Sequence, residues 1–207
     1  MYKGILDDIR LCYQCMRPKR NPVFLFTPPF DLRLAEVPHA QYATNADTMV
    51  EVHSWAVEHF DYDWVFIHGD SCMALEPLGI FPRYSLSNSF EPWTPSSHIP
   101  PDRDSFAKLS LPDPENDGRM PIAIETIHRL KKQFTDSLCV CGHVTAAFSS
   151  LLYLYGAENG LILLNDDSDL AEKSLDFLCE VQADFAEAQV KAGASIIELG
   201  DLNSSSH

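Results

Sequence analysis

Three short stretches hold the residues whose types and spacing could do chemistry. The first is His68-Gly69-Asp70-Ser71-Cys72, which follows the apolar run Trp64–Ile67. In the second, Cys139, Cys141 and His143 alternate within LCVCGHVT. An extended backbone turns alternate residues to one face, so these could offer two thiolates and an imidazole to a metal. A zinc site needs several ligands converging in space, and one strand seldom supplies three, so no metal site is expected there. The third stretch is Gly200-Asp201-Leu202-Asn203, which closes the last apolar run, Ser195–Leu199. Cys12-x-x-Cys15 also fits a redox or zinc motif. With no second pair near it and no strand before it, it reads as two cysteines half-buried on a helix.

The first and third of these groups, and His143 in the second, stand where buried strands should end. Trp64–Ile67 is a continuous apolar run bounded by turn residues, the pattern of a strand buried on both faces of a parallel sheet. In α/β folds, ligands bind at the C-terminal edge of such strands. Residues 1–20 predict a leading helix, with Ile5, Ile9 and Cys12 at helical spacing. Pro22–Phe26 reads as a first strand. Thr27-Pro28-Pro29-Phe30-Asp31 stops it as a loop, because proline cannot continue a central strand. Thr44–Phe60 predicts a helix with Thr44 and Asp47 at capping-box spacing. Strand, helix and Trp64–Ile67 then make a βαβ unit, right-handed by default.

Residues 80–117 form a long, proline-rich loop carrying Phe81, Tyr84, Phe90 and Trp93. A loop of that length is expected to wall or cover a pocket, packed down by its aromatics. Helices are predicted at Met120–Phe134, Ala146–Tyr155 and Asp169–Ala192, the last capped within 166–168 and stopped by Gly193. Leu138–Cys141 reads as the third strand and Ser195–Leu199 as the fourth. Gly160–Leu164 fits a short strand or a helical turn equally well. Repeated β/α units of this kind suit an open parallel sheet or part of a (β/α)8 barrel.

The chain has 207 residues, 45% of them hydrophobic, enough for one sizeable core, so a single domain over 1–207 is expected. Thirty acidic against fifteen basic residues give a net charge of -15. Such a surface repels phosphate and disfavours nucleic acid or a substrate with many carboxylates. No apolar run approaches the length of a membrane span, and nothing at the N-terminus reads as a signal peptide. The expectation is a cytoplasmic protein with reduced thiols.

Four features in order, PVFLFTPPF, DYDWVFIHGDSCMALEPLG, DPENDGRMPIAIETIHRLKKQF with CVCGHVTAAFSSLLYLYG, and QVKAGASIIELGD, together resemble the uroporphyrinogen decarboxylase superfamily. The resemblance spans nearly the whole chain. It implies an α/β fold of the (β/α)8 TIM-barrel type, with only about the first four strand–helix units present. The superfamily includes heme-pathway decarboxylases and corrinoid-dependent methyltransferases. The decarboxylases carry an Arg-x-x-Gly-Arg-Tyr type of motif after the first strand, where this chain has TPPFDLRL with one arginine. The tail GDLNSSSH and the opening YATNADTMVEVHSWAVEHFDYDWVF are similar to the methyltransferase branch.

The resemblance therefore implies transfer of a methyl group between a small methylated compound, or a thiol, and a corrinoid carried by a separate protein. No cofactor would be held tightly by this chain. The alternatives are a decarboxylase-like carboxy-lyase and a non-catalytic half-barrel. Asp70 and Asp201 match the family's acidic residues at strand ends, where one could act as a general acid. His68, His143, Phe30 and Asn203 are expected to line the substrate pocket. Thiol-methylating members bind zinc through residues of the barrel's second half, so no zinc ligand is assigned. A half-barrel would leave an open edge and an apolar face, so a second copy or a separate second half is the expected partner.

Overall fold

In the computed structural model, which describes residues 2–24, 28–84 and 94–204, helices α1 (Ile5–Tyr13), α2 (Pro28–Leu34), α3 (His39–Thr44) and α4 (Ala46–Phe60) precede strand β1 (Trp64–Phe66). The long connection after β1 contains a short antiparallel ladder of β2 (Pro82–Arg83) with β3 (Thr94–Pro95), then the one-turn helix α5 (Arg103–Phe106). Next come α6 (Met120–Phe134), β4 (Cys139–Thr145), α7 (Ala147–Tyr155), α8 (Ala157–Asp166), α9 (Ser168–Ala192) and β5 (Ile196–Gly200).

Strands β1, β4 and β5 make one parallel sheet with β4 in the middle. Side chains alternate between its two faces. Val65, Val140, Val144 and Ile197 face the helices, joining Met49 and Ala56 of α4, Ile127 and Leu130 of α6, and Phe185 of α9. Helices α4 and α6 deliver these residues at three- and four-residue spacing, which makes one apolar stripe per helix. Each large aliphatic side chain buried there contributes roughly 1.5–3 kcal/mol. Trp64, Cys139 and Ile196 lie on the opposite face, where Ile5 and Ile9 of α1 cover them. A second core joins Leu75, Leu78 and Ile80 to Leu151, Leu154 and Tyr155 of α7 and Leu178 of α9.

Strand β1 is much shorter than β4. Its last ladder bond runs from Ile67 N–H to the Cys141 carbonyl at 2.8 Å. Beyond that point α9 supplies partners to the β4 backbone. The Gln189 amide accepts from His143 N–H and donates to the His143 carbonyl, both at 2.9 Å. Gln182 Oε1 accepts from Thr145 N–H at 3.2 Å. The two glutamines are two helical turns apart, so they lie on one face of α9. A Cβ at Gly142 would sit 2.3 Å from Gln189 Oε1, so the clamp requires glycine there.

Several expectations are corrected. Pro22–Phe24 is irregular, and the rest of the expected first strand lies outside the described residues. Asp63 Oδ2 accepts Val23 N–H at 2.7 Å, taking a donor that a ladder would have used. The proline-containing loop is helix α2, since proline suits a first helical turn. Helix α4 is capped by Asn45, whose Oδ1 accepts Thr48 N–H at 2.9 Å, while Thr44 ends α3. The third strand continues through Gly142 and His143 to Thr145, so His143 lies within the strand. Gly160–Leu164 is helical, inside α8. In the 80–117 connection Phe81 is exposed and Tyr84 is held at Asp70, whereas Phe90 and Trp93 lie outside the described residues.

No single helix among the described residues is long and apolar enough to cross a membrane; the one apolar pair, α7 with α8, is bent by 108° between them.

Candidate active site

His143 and Glu198 are register partners on β4 and β5. Their side chains lie on the same face, and His143 Nδ1 stands 2.5 Å from Glu198 Oε2. An ionised carboxylate only accepts, so the ring proton belongs on Nδ1. The other ring nitrogen, Nε2, is buried without a hydrogen-bond partner. Gly200 leaves room for this ring, since a Cβ there would stand 2.6 Å from His143 Cε1. His68, beyond the end of β1, packs its ring edge-on against His143 with centroids 4.2 Å apart. Desolvation holds the His68 pKa well below the usual imidazole value, and His143 and His39 push it the same way. His68 is therefore a neutral neighbour at pH 7.

A cavity of 210 Å³ opens beside these groups, lined by His68, His143 and Glu198 together with Ser149, Tyr153 and Asp201. Ser149, near the start of α7, donates to Asp201 Oδ1 at 2.6 Å and accepts Asn203 N–H at 3.2 Å. The Asn203 side chain bonds Tyr153. Among the described residues, no lysine or arginine lines this cavity. Of the residues expected from sequence, His68, His143 and Asp201 meet at its wall, and Asn203 supports that wall through Tyr153.

Asp70 and Phe30 do not line this cavity; Asp70 lines a smaller void with His68 and His143. Asp70 has no side-chain exposure and pairs with Arg119, at 2.6 Å from Nη1 and 3.1 Å from Nη2. It also accepts from the Tyr84 hydroxyl and, at 2.8 Å, from Cys72 N–H. Arg119 further donates to Glu76 at 2.9 Å and to the Tyr84 oxygen at 2.6 Å. Burial opposes the Arg119 charge, but the hydrogen bonds and charge of Asp70 outweigh it and raise its pKa. Burial and then the Asp70 charge raise the Tyr84 pKa, so Tyr84 stays a neutral donor. This closed network ties the loop after β1 and the start of the long connection to α6. Phe30 is half exposed on α2 and packs its ring at a tilt against Phe60, with centroids 5.9 Å apart.

Sequence reasoning missed Glu198, Gln189, Gln182 and Arg119. The alternation that linked Cys141 to His143 applies equally to Ile196, Glu198 and Gly200, and it would have found Glu198. Two glutamines seven apart on an otherwise apolar helix face were a signal for the clamp. Arg119 carried no local signal. Among the described residues, no three His, Cys, Asp or Glu side chains are arranged to hold a metal ion. Cys139 is buried against α1 and does not converge with His143.

The profile of the family described as uroporphyrinogen decarboxylase (URO-D) matches residues 13–207. The chain belongs to the uroporphyrinogen decarboxylase family. A relative described as uroporphyrinogen decarboxylase, from Myxococcus xanthus (strain DK1622), is 28% identical over 165 residues, covering 75% of this chain and 44% of the relative. A solved methyltransferase from Methanosarcina mazei superposes with a TM-score of 0.83 at 18% identity, covering 95% of this chain and 58% of the methyltransferase. At that identity the likeness speaks for the fold alone: an α/β fold with a parallel sheet. This uroporphyrinogen decarboxylase family chain spans about half the length of the relatives it matches. Arg33, the one arginine of TPPFDLRL, is exposed on α2.

Proposed function

We propose that this chain supplies one wall of a methyl-transfer site, with His143, held by Glu198, as the proton carrier. The observation that carries the reading is the cavity wall itself. It presents Glu198 and Asp201 and, among the described residues, no lysine or arginine to neutralise substrate carboxylates. A small neutral or cationic methylated molecule suits it better than a polycarboxylate. When the donor's methyl group leaves, the heteroatom left behind gains a proton; the unpartnered Nε2 of His143, whose ring lines the cavity, supports its giving that proton. In the reverse direction the same nitrogen takes a proton from a thiol. Glu198 keeps the ring oriented.

A corrinoid, when bound, supplies the cobalt that accepts or donates the methyl group. A cavity of 210 Å³ is smaller than the roughly 300–1,000 Å³ pockets that enclose drug-sized ligands. It has room for the end of a small donor, which supports a corrinoid presented by a separate protein. Exposed Leu199, on the edge strand β5, supports completion of the site by further strands.

A decarboxylase reading draws support from the name of the Myxococcus xanthus relative. One experiment separates the two. Purified protein is incubated with methanol, methylamines, methoxyarenes and methyl thioethers, with and without reduced cobalamin, and demethylated product is measured by mass spectrometry. Turnover that needs cobalamin and is lost in His143→Ala supports methyl transfer. No turnover of any donor, with carbon dioxide released from uroporphyrinogen, would replace it with the decarboxylase.

A further inference from the structure

The Cys12-x-x-Cys15 pair differs from its sequence reading in a way that gives it a use. Both thiols are exposed. Only Cys12 is helical; Cys15 lies past the end of α1 with φ of 55°. Cys15 N–H bonds the Cys12 carbonyl at 3.0 Å, and Met16 N–H bonds the Leu11 carbonyl at 2.8 Å. That pair of bonds is a Schellman ending, with Cys15 at the left-handed position where glycine is the usual residue. A side chain there is strained, so a thiol at this position costs stability that glycine would not.

The same geometry brings the two residues together. A backbone bond from residue i+3 to residue i holds their Cα atoms within about 7 Å. Disulfides bridge Cα separations of about 4.4–6.8 Å. The chain's other cysteines offer no such pair. Cys72, Cys139 and Cys141 are buried, and desolvation raises their thiol pKa values. Cys179 is exposed but stands alone on α9.

We propose that Cys12 and Cys15 form a reversible dithiol–disulfide site that exchanges with small-molecule disulfides. One thiolate attacks the small disulfide, breaking its S–S bond and releasing one thiol. The second thiolate then displaces the other half. The two protein sulfurs lose two electrons and two protons, and the small disulfide becomes two thiols. Closing the bridge fixes the last turn of the helix whose Ile5 and Ile9 cover Cys139.

The test equilibrates the native protein in glutathione buffers of increasing oxidised fraction, then alkylates free thiols and digests with trypsin. Because the Arg17–Pro18 bond resists trypsin, one peptide, Leu11–Lys19, carries both thiols. The expected result is a peptide lighter by two hydrogens, restored by dithiothreitol, while Cys179 carries glutathione in the same sample. In Cys15→Ser, Cys12 should carry glutathione as Cys179 does. Glutathione on both Cys12 and Cys15 in the native protein, or oxidation no easier than at Cys179, would overturn the proposal.

Discussion

His143 and Glu198 stand side by side in the register of two parallel strands, with Nδ1 and Oε2 2.5 Å apart. The sheet itself therefore aims the imidazole, whose ring lines a cavity and whose second nitrogen is buried without a partner. Glu198→Gln keeps the shape and removes the charge. Methyl-donor turnover should fall by about 10²–10⁴-fold, the usual weight of general acid–base catalysis. Circular dichroism should be unchanged, because the Glu198 side chain is only partly buried and glutamine has the same shape.

Gln189 is fully buried and holds both backbone groups of His143. Gln189→Leu leaves an N–H and a carbonyl unpaired, at roughly 1–3 kcal/mol each. Urea denaturation should show a loss of that order. Gly142→Ala, which drives a Cβ into the Gln189 amide, should reproduce much of it.

Asp70 and Arg119 form a buried pair. Asp70→Ala leaves the buried Arg119 with Glu76 as its carboxylate partner and removes the acceptor of Tyr84, so it should cost up to about 3–5 kcal/mol. A double change, Asp70→Leu with Arg119→Met, should recover most of that stability. Recovery of stability with retained turnover would make the pair structural; recovery without turnover would return Asp70 to the chemistry.

Burial lowers the pKa of His53 to about 4 from 6.5, and its ring bonds the Tyr42 hydroxyl at 2.8 Å. The unfolded chain therefore takes up this proton before the folded one. Stability from this group is complete above about pH 6.5 and is lost as pH falls toward 4, by about 3 kcal/mol in total. His68, also lowered, acts in the same direction. Melting temperature measured from pH 7 to pH 4 should fall less steeply in His53→Gln.

Cys15→Gly removes a side chain from a left-handed position. The reduced protein should gain up to about 1 kcal/mol in urea denaturation, the strain relieved exceeding the entropy that glycine adds to the unfolded chain.

Much of the framework was legible in the sequence, because it depends on local pattern. Continuous apolar runs marked β1, β4 and β5, and three- and four-residue spacing marked α4, α6 and α9. The ordered motifs pointed to the family that the chain belongs to. His68, His143 and Asp201 were legible as candidates because each stands at the C-terminal end of an apolar run. The elements that went astray were those decided by partners distant in sequence. Pro22–Phe24 has strand composition, yet Asp63 takes one of its backbone donors. Asp70 and Asp201 look alike in sequence. Arg119, 49 residues on, draws Asp70 into a closed network, while Ser149 holds Asp201 at the cavity wall. Pairing Glu198 with His143 needed the register of two strands 55 residues apart. Local sequence thus determined which segments become strands and helices, because side-chain period and backbone propensity act within a few residues. Only the tertiary structure decided which polar groups are neutralised and which remain available, because that depends on what long-range packing places within hydrogen-bond reach.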